Sequence, residues 1–496
     1  MKRLFIAIMA FAASAAAMNA EVKLPSVLSD GMVLQRNAEV TLWGKAAPGS
    51  TVCVEPSWDG VRRQTKADSE GCWILKVATT DAGGPYSISF SDSKKSSVTL
   101  NDILLGEVWI CSGQSNMEMP VKGFVSQPVA GSAQAIRDSY AHPDMRIFNV
   151  LRHATDTLQS DCTGEWQYPT PENVANCSAV AYFFGRMLTD ILGVPVGLIT
   201  SYWGGTMIET WMMPESIKAI PDIDKSVFDE VPEGPGPGKL YKGMIAPIVN
   251  YTAKGFIWYQ GESNRYHPFD YAKLMNRMIL DWREAWGNDQ MPFIAAQIAQ
   301  YVYDGSEYLT VPVIVEQQYK AADATPLTYI APTTDMDSPR MIHPARKVLV
   351  GERMAAIALS RTYGIKGLCG ESPRYSGMET DGSSVILHFK DMAVSTSWPA
   401  TGESFSWLDK DIKVIRIKGF EVAGEDRVFH AATAKLGWPV ADRITVQCDS
   451  VAAPVAVRYA FRNVLESNVM TVSEVPLAPF RTDDWEITPE QLKRQK

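Results

Sequence analysis

Ser115 and His343 are the two side chains whose surroundings best suit a nucleophile and its base. Ser115 stands in a small polar turn, Gly113-Gln114-Ser115-Asn116, which ends an apolar run from Leu104 to Cys111 broken only by Gly106 and Glu107. A run without polar alternation suits a parallel strand covered on both faces, and α/β folds hold their sites just beyond the carboxyl ends of such strands. A free serine hydroxyl is barely nucleophilic at neutral pH and needs a base beside it. Of the six histidines, His142 and His153 lie in a polar region with no strand before them, and His388 and His430 fall in a late β-patterned region. His267 follows the GESN loop and could line a cleft. His343 is different: it sits in TTDMDSPRMIHPARK, after the apolar stretch Leu327 to Ala331 and before a helical one, at the same sheet edge as Ser115. Asp335 and Asp337, a few residues upstream, are candidates to orient its imidazole.

Two more loops follow apolar strands. Val196 to Thr200 runs into SYWGGT, where Gly204 and Gly205 let backbone N–H groups approach a ligand closely. Gly255 to Tyr259 runs into Gln260-Gly261-Glu262-Ser263-Asn264. Backbone donors from a glycine loop plus a side-chain amide are what a tetrahedral oxyanion requires, each donor being worth about 3 kcal/mol of transition-state stabilisation. Nucleophile, glycine donor, amide donor and Asp/His therefore arrive in chain order on four strand ends.

The elements that must carry these loops form an α/β pattern. Strands at Val108 to Cys111, Val196 to Thr200, Gly255 to Tyr259, Phe293 to Ile298 and Leu327 to Ala331 alternate with helices at Ser178 to Leu192, Tyr271 to Trp286 and Ala345 to Tyr363. Ser178 is the expected N-cap of the first helix. Between Pro214 and Lys242, EVPEGPGPGK predicts a surface loop. Before this core, 22–101 is all-β in pattern, with Trp43, Trp58 and Trp73 expected mainly in its packing. After it, from about Gly367, strand patterns such as SSVILHFKDM and RITVQCDS return. The expected division is 1–20 leader, 21–102 β domain, 103–366 catalytic α/β domain and 367–496 second β region.

Lys2 and Arg3 precede an apolar stretch to Ala17 and small residues to Ala20, the layout of a secretory signal peptide, so a periplasmic or extracellular location is expected. No later stretch is apolar for long enough to span a bilayer. With a net charge of −9 and charges of both signs interspersed, nothing favours nucleic acid as a partner. Seven cysteines in 496 residues are not a disulfide framework, although Cys53–Cys72 and Cys162–Cys177 have spacings at which a local bridge is conceivable. Serine acyl transfer needs neither a metal nor an organic cofactor, and the absence of HExxH or a compact His/Cys cluster weakens a metallohydrolase reading. Oligomeric state is left open.

The four blocks CSGQSNMEMP, SYWGGT, IWYQGESN and IHPARK resemble the SGNH hydrolase superfamily, and their wording resembles the sialate O-acetylesterase family of carbohydrate esterases. The likeness extends from LPSVLSDGMVLQR near the start to PLAPFRTDDW near the end. It implies a three-layer α/β/α hydrolase domain with a flavodoxin-like parallel sheet and accessory β-sandwich-like regions. It also implies a Ser115 nucleophile, a His343 base, and an oxyanion hole from the Ser115 amide, a glycine of SYWGGT (Gly205) and a side chain of the QGESN loop. Gln260, which ends its strand, is preferred to Asn264 for the last of these, leaving Asn264 as a substrate contact. The superfamily places an Asp three residues before the His, and relatives of this family often place one two before it; here those positions hold Arg340 and Met341. Asp335 is the first candidate for that role, with Asp337 or a Ser–His dyad as alternatives. The implied substrate is an acetylated sugar or glycan, first of all sialic acid, whose carboxylate calls for a cation such as Arg265, Arg340 or Arg346; an acetylated plant polysaccharide or a non-catalytic carbohydrate-binding protein are the other readings.

Overall fold

A computed structural model of the chain describes residues 21–94, 96–223, 234–336, 339–390, 417–436, 443–471 and 473–492. The leader-like segment 1–20, residues 224–233 and Asp337 lie outside the described residues; the region expected as a surface loop between Pro214 and Lys242 instead begins with a short helix, Pro214–Lys218, and runs into a helical turn at Tyr241–Ile245.

One strand organises the fold. β1 (Ser97–Gly113) pairs antiparallel with Gly83–Asp92 along its first half, and its second half is the middle of a parallel sheet. The expected domain boundary at 102/103 therefore falls inside a continuous strand. The remaining parallel strands are β2 (Met145–Asn149), β3 (Val196–Tyr202), β4 (Gly255–Tyr259), β5 (Phe293–Ala296) and β6 (Thr328–Ala331), in the spatial order β6-β5-β4-β1-β3-β2. With β2 counted as an added edge, this is the flavodoxin-like doubly wound order, whose switch point lies beside its first strand.

Strand alternation sends side chains to two separate cores. Val108, Ile110, Phe256, Trp258, Phe293 and Ala295 pack in one cluster with α3 (Tyr271–Ala285) and α4 (Thr310–Ala324). Trp109, Cys111, Ile257, Tyr259, Ile294 and Ala296 pack in the other with α2 (Ala179–Leu192) and α5 (Lys347–Ile357). Helices thus cover both faces of the parallel sheet, which is why its strands carry no polar alternation. Ser178 caps α2 as expected, its side chain accepting from the Ala181 N–H at 3.2 Å. The sequence reading passed over α4, whose opening Thr-Val-Pro-Val-Ile-Val is β-branched apart from Pro312; Pro312 is tolerated there because a first helical turn donates no internal bond.

At the start, Glu39–Lys45 pairs with Cys72–Ala78, and Thr51–Pro56 with Arg63–Lys66 and Gly83–Asp92. Near the end, two four-stranded sheets share one core in which Val385, Leu387 and Ile444 meet Val422, Val457 and Tyr459. All seven cysteines are free thiols, so neither conceivable bridge forms: Cys53 and Cys72 lie on strands of different sheets, and Cys177 is buried at the end of the helix Pro171–Asn176.

Candidate active site

From Ile103 to Met117 every residue is buried except Ser115. The chain leaves β1 through Gly113 at φ +144°, where a Cβ would meet the Tyr259 carbonyl at 2.2 Å, so only glycine lets β1 run this close to β4. Ser115 then opens the four-residue helix α1 (Ser115–Glu118), and its N–H has no intrahelical acceptor. Its hydroxyl has no hydrogen-bond partner among the described residues.

The glycine loop after β3 lies against this turn. A Cβ on Gly204 would sit 3.1 Å from that of Ser115 and 2.9 Å from Glu118 Oε2. The Gly204 N–H donates to Glu118 Oε2 at 2.6 Å and is spent there; Arg152 holds the other carboxylate oxygen and stacks on Trp203 at 5.1 Å. Gly205, exposed and at φ +77°, has no acceptor for its N–H among the described residues, and it is the donor this loop can offer an oxyanion.

The loop after β4 departs from expectation. Gln260 is fully buried: its amide donates to the Thr206 carbonyl (3.1 Å) and Asn264 Oδ1 (2.7 Å), and its Oε1 accepts from the Tyr271 hydroxyl (2.8 Å). Both amide hydrogens are engaged, so Gln260 is not an oxyanion donor; it holds the residue that follows Gly205. Asn264, also fully buried, donates to Glu209 Oε2 (2.9 Å) and accepts from the Ile208 N–H (3.0 Å), which removes it from substrate contact and makes it a brace of the same loop. Arg265 is half-buried, donates to the Glu262 carbonyl, and lies 4.1 and 5.0 Å from the ring centres of Tyr266 and Tyr303.

His343 is half-buried, edge-on to Phe124 with ring centres 5.2 Å apart. Its Nδ1 faces Gln127 Oε1 at 2.6 Å; a carboxamide oxygen only accepts, so Nδ1 carries the proton and Nε2 keeps a lone pair. Burial, and then the nearby Lys347 charge, pull its pKa down to about 4. Asp335 is not its partner. Both Asp335 oxygens accept from Arg353, each at 2.7 Å, and Arg353 is itself buried. A forked guanidinium matches a carboxylate in a way an imidazole does not, and sequence spacing could not show that a residue one helix further on would take it. Gln127 carried no sequence signal, being a lone polar residue in a loop; Glu118 and Lys347, in contrast, lie within the CSGQSNMEMP and IHPARK blocks.

An accessible serine at a strand end, a glycine N–H without an acceptor and an imidazole whose free nitrogen is set by its neighbour are what an acyl-transfer site would require. Residues 105–360 match the family described as carbohydrate esterase, sialic acid-specific acetylesterase. This chain belongs to that family of esterases. It is 33% identical to the human sialate O-acetylesterase over 390 residues, 71% of this chain and 73% of that one. It is 29% identical to the mouse sialate O-acetylesterase over 429 residues, 74% and 78% of the two chains. Among solved structures, a carbohydrate acetylesterase from Xanthomonas citri covers 94% of this chain and 100% of its own, at 33% identity and a TM-score of 0.82. The esterase family is therefore matched both over its catalytic blocks and over the fold that carries them.

Proposed function

We propose that this protein is an exported sialate O-acetylesterase of three-layer SGNH architecture, working through a Ser115 acyl-enzyme. The observation that carries this reading is Ser115 itself, the one accessible residue in the buried segment Ile103 to Met117, at the switch point of the parallel sheet and packed on Gly204, next in the chain to the free Gly205 N–H. His343 Nε2 takes the Ser115 proton as Oγ attacks the acetyl carbonyl. The Ser115 and Gly205 N–H groups receive the oxyanion, with Glu118, Gln260 and Asn264 fixing the glycine loop. His343 then protonates the departing sugar oxygen, and water clears the acetyl-enzyme by the same route in reverse.

Sialic acid is preferred to a neutral polysaccharide because a cation lies against the glycine loop that packs on Ser115. Arg152, half-exposed, is joined through Glu118 to Gly204 and lines a hollow of about 490 Å³ with Glu118, Lys122, Phe124, Leu151 and Tyr202. Phe124 ties that hollow to His343. Arg265, Arg340 and Arg346 were the cations expected from the sequence; Arg152, which follows β2, was not among them.

The test is acetate release from O-acetylated sialic acids and from acetylated xylan and pectin, with 4-nitrophenyl acetate as a general substrate. The wild type is expected to favour the sialic acids, and Ser115→Ala to lose at least about 10³-fold in kcat. Equal hydrolysis of 4-nitrophenyl acetate by both proteins would refute the Ser115 mechanism, and release from xylan or pectin alone would refute the substrate.

A further inference from the structure

The nucleophile and base stand on loops far apart in sequence, and a fully buried side chain joins them. Asn116, directly after Ser115, donates from Nδ2 to the carbonyl of Ile342, directly before His343, at 3.0 Å. The same Nδ2 donates to Glu262 Oε1 at 2.6 Å, in the loop after β4, and Asn116 Oδ1 accepts from Lys347 Nζ at the start of the helix behind His343. One carboxamide thus connects three of the four strand-end loops. From this we infer that Asn116, Glu262 and Lys347 are positioning residues that set the Ser115–His343 geometry, an inference that rests on the roles proposed above for those two residues.

The composition of this cluster is not what stability alone selects. Lys347 is fully buried and Glu262 nearly so, and Glu262 Oε2 has no hydrogen-bond partner among the described residues. The Lys347 ammonium lies 5.3 Å from the centre of the Tyr259 ring, whose buried hydroxyl also lacks a partner. Two buried charged groups, each bonded to the Asn116 carboxamide rather than paired directly, are costlier than apolar residues of the same shape, because both lose their water; an arrangement of this kind has no stability rationale. Its presence between two reacting loops is therefore the mark of a geometric or electrostatic duty.

The electrostatic part follows from the neighbours. Among the described residues Lys347 is the charged group acting on His343, whose other close partners, Gln127 and Phe124, are neutral. Lys347 in turn faces Glu262, and Glu262 faces Arg265. Burial lowers the Lys347 pKa to about 7, with Glu262 opposing the shift, so Lys347 is cationic throughout the acid range in which His343 titrates. The cluster then does two things: its hydrogen bonds fix the loops, and its charge keeps His343 unprotonated as the pH falls.

The experiment compares Asn116→Ala, Lys347→Met, Glu262→Gln and Glu262→Ala with wild type and Ser115→Ala, measuring kcat, KM and the pH profile of kcat/KM. Asn116→Ala is expected to lower kcat by roughly 10- to 100-fold with KM within about threefold, the signature of an interaction realised in the transition state. Lys347→Met is expected to move the acid limb up by about one pH unit, since a like charge nearby is what the methionine removes. Glu262→Gln keeps the acceptor for Asn116 and should retain kcat within about threefold, whereas Glu262→Ala should fall about tenfold. A limb that stays in place in Lys347→Met, or equal kcat in the two Glu262 variants, overturns the inference while Ser115→Ala remains inactive. Should Lys347→Met not fold, the Glu262 pair decides alone. An active Ser115→Ala would instead overturn the reading on which the inference stands.

Discussion

Asp335→Asn separates a catalytic carboxylate from a structural one. Asp335 and Arg353 form a forked pair with two contacts of 2.7 Å, their side chains 13% and 7% exposed, so both charges are largely out of water. Breaking such a pair from one side costs about 3–5 kcal/mol. The lower end applies here, because Arg353 keeps the Pro332 carbonyl at 2.9 Å and the Glu474 carbonyl at 2.8 Å, and an asparagine still offers one oxygen. A loss of about 3 kcal/mol lowers the melting temperature of a domain this size by roughly 6–12 °C. Since neither Asp335 oxygen reaches His343, kcat should stay within about threefold of wild type at a temperature where the variant is folded. In a Ser-His-Asp triad the same substitution removes about 10⁴ from kcat with little change in stability. Calorimetry and 4-nitrophenyl acetate turnover on the same preparation read both quantities. A variant with native melting and kcat reduced by 10³ or more would refute the assignment of Asp335 to Arg353.

Three further outcomes follow from the same geometry. His343 is held near pKa 4 by burial and Lys347, so as the proposed base it stays unprotonated well below its ordinary 6.5, and the acid limb of kcat/KM should lie near pH 4; a limb near 6.5 would contradict the burial of the ring. The sign for stability is fixed by the same shift: between pH 6.5 and 4 the unfolded chain binds a proton that folded His343 does not, so this residue's contribution to stability falls as pH falls through that window, measurable by denaturant titration. Gln260→Glu places a carboxylate oxygen against the Thr206 carbonyl and Asn264 Oδ1, leaving the Thr206 carbonyl without its donor at about 1–3 kcal/mol and Asn264 Oδ1 with the Ile208 N–H alone. Melting should drop along with kcat, whereas native melting with a 10²-fold loss of turnover would return Gln260 to the oxyanion hole.

The legible part of this molecule was what backbone pattern determines, and the illegible part was which partner each polar side chain meets. Uninterrupted apolar runs marked β1, β3, β4, β5 and β6 because burial on both faces leaves no room for alternation, and that alone put Ser115, Gly205 and His343 at one sheet edge. The helix Thr310–Ala324 was missed because local preference favoured a strand and tertiary packing overrode it. Gln260 was misassigned for a different reason. Phe256 and Trp258 share the face covered by the helix bearing Tyr271, and a period of two carries Gln260 to that same face, toward the Tyr271 hydroxyl and away from the cleft. Strand parity therefore held the correct answer, and position at the strand end was the weaker guide. Asp335 offered no comparable rule, since a carboxylate takes the nearest forked cation in space, and Arg353 comes close only after its helix has packed against the sheet. The same holds for Asn116: its place beside Ser115 was visible from the start, but its role depends on Ile342, Glu262 and Lys347 converging on one buried point.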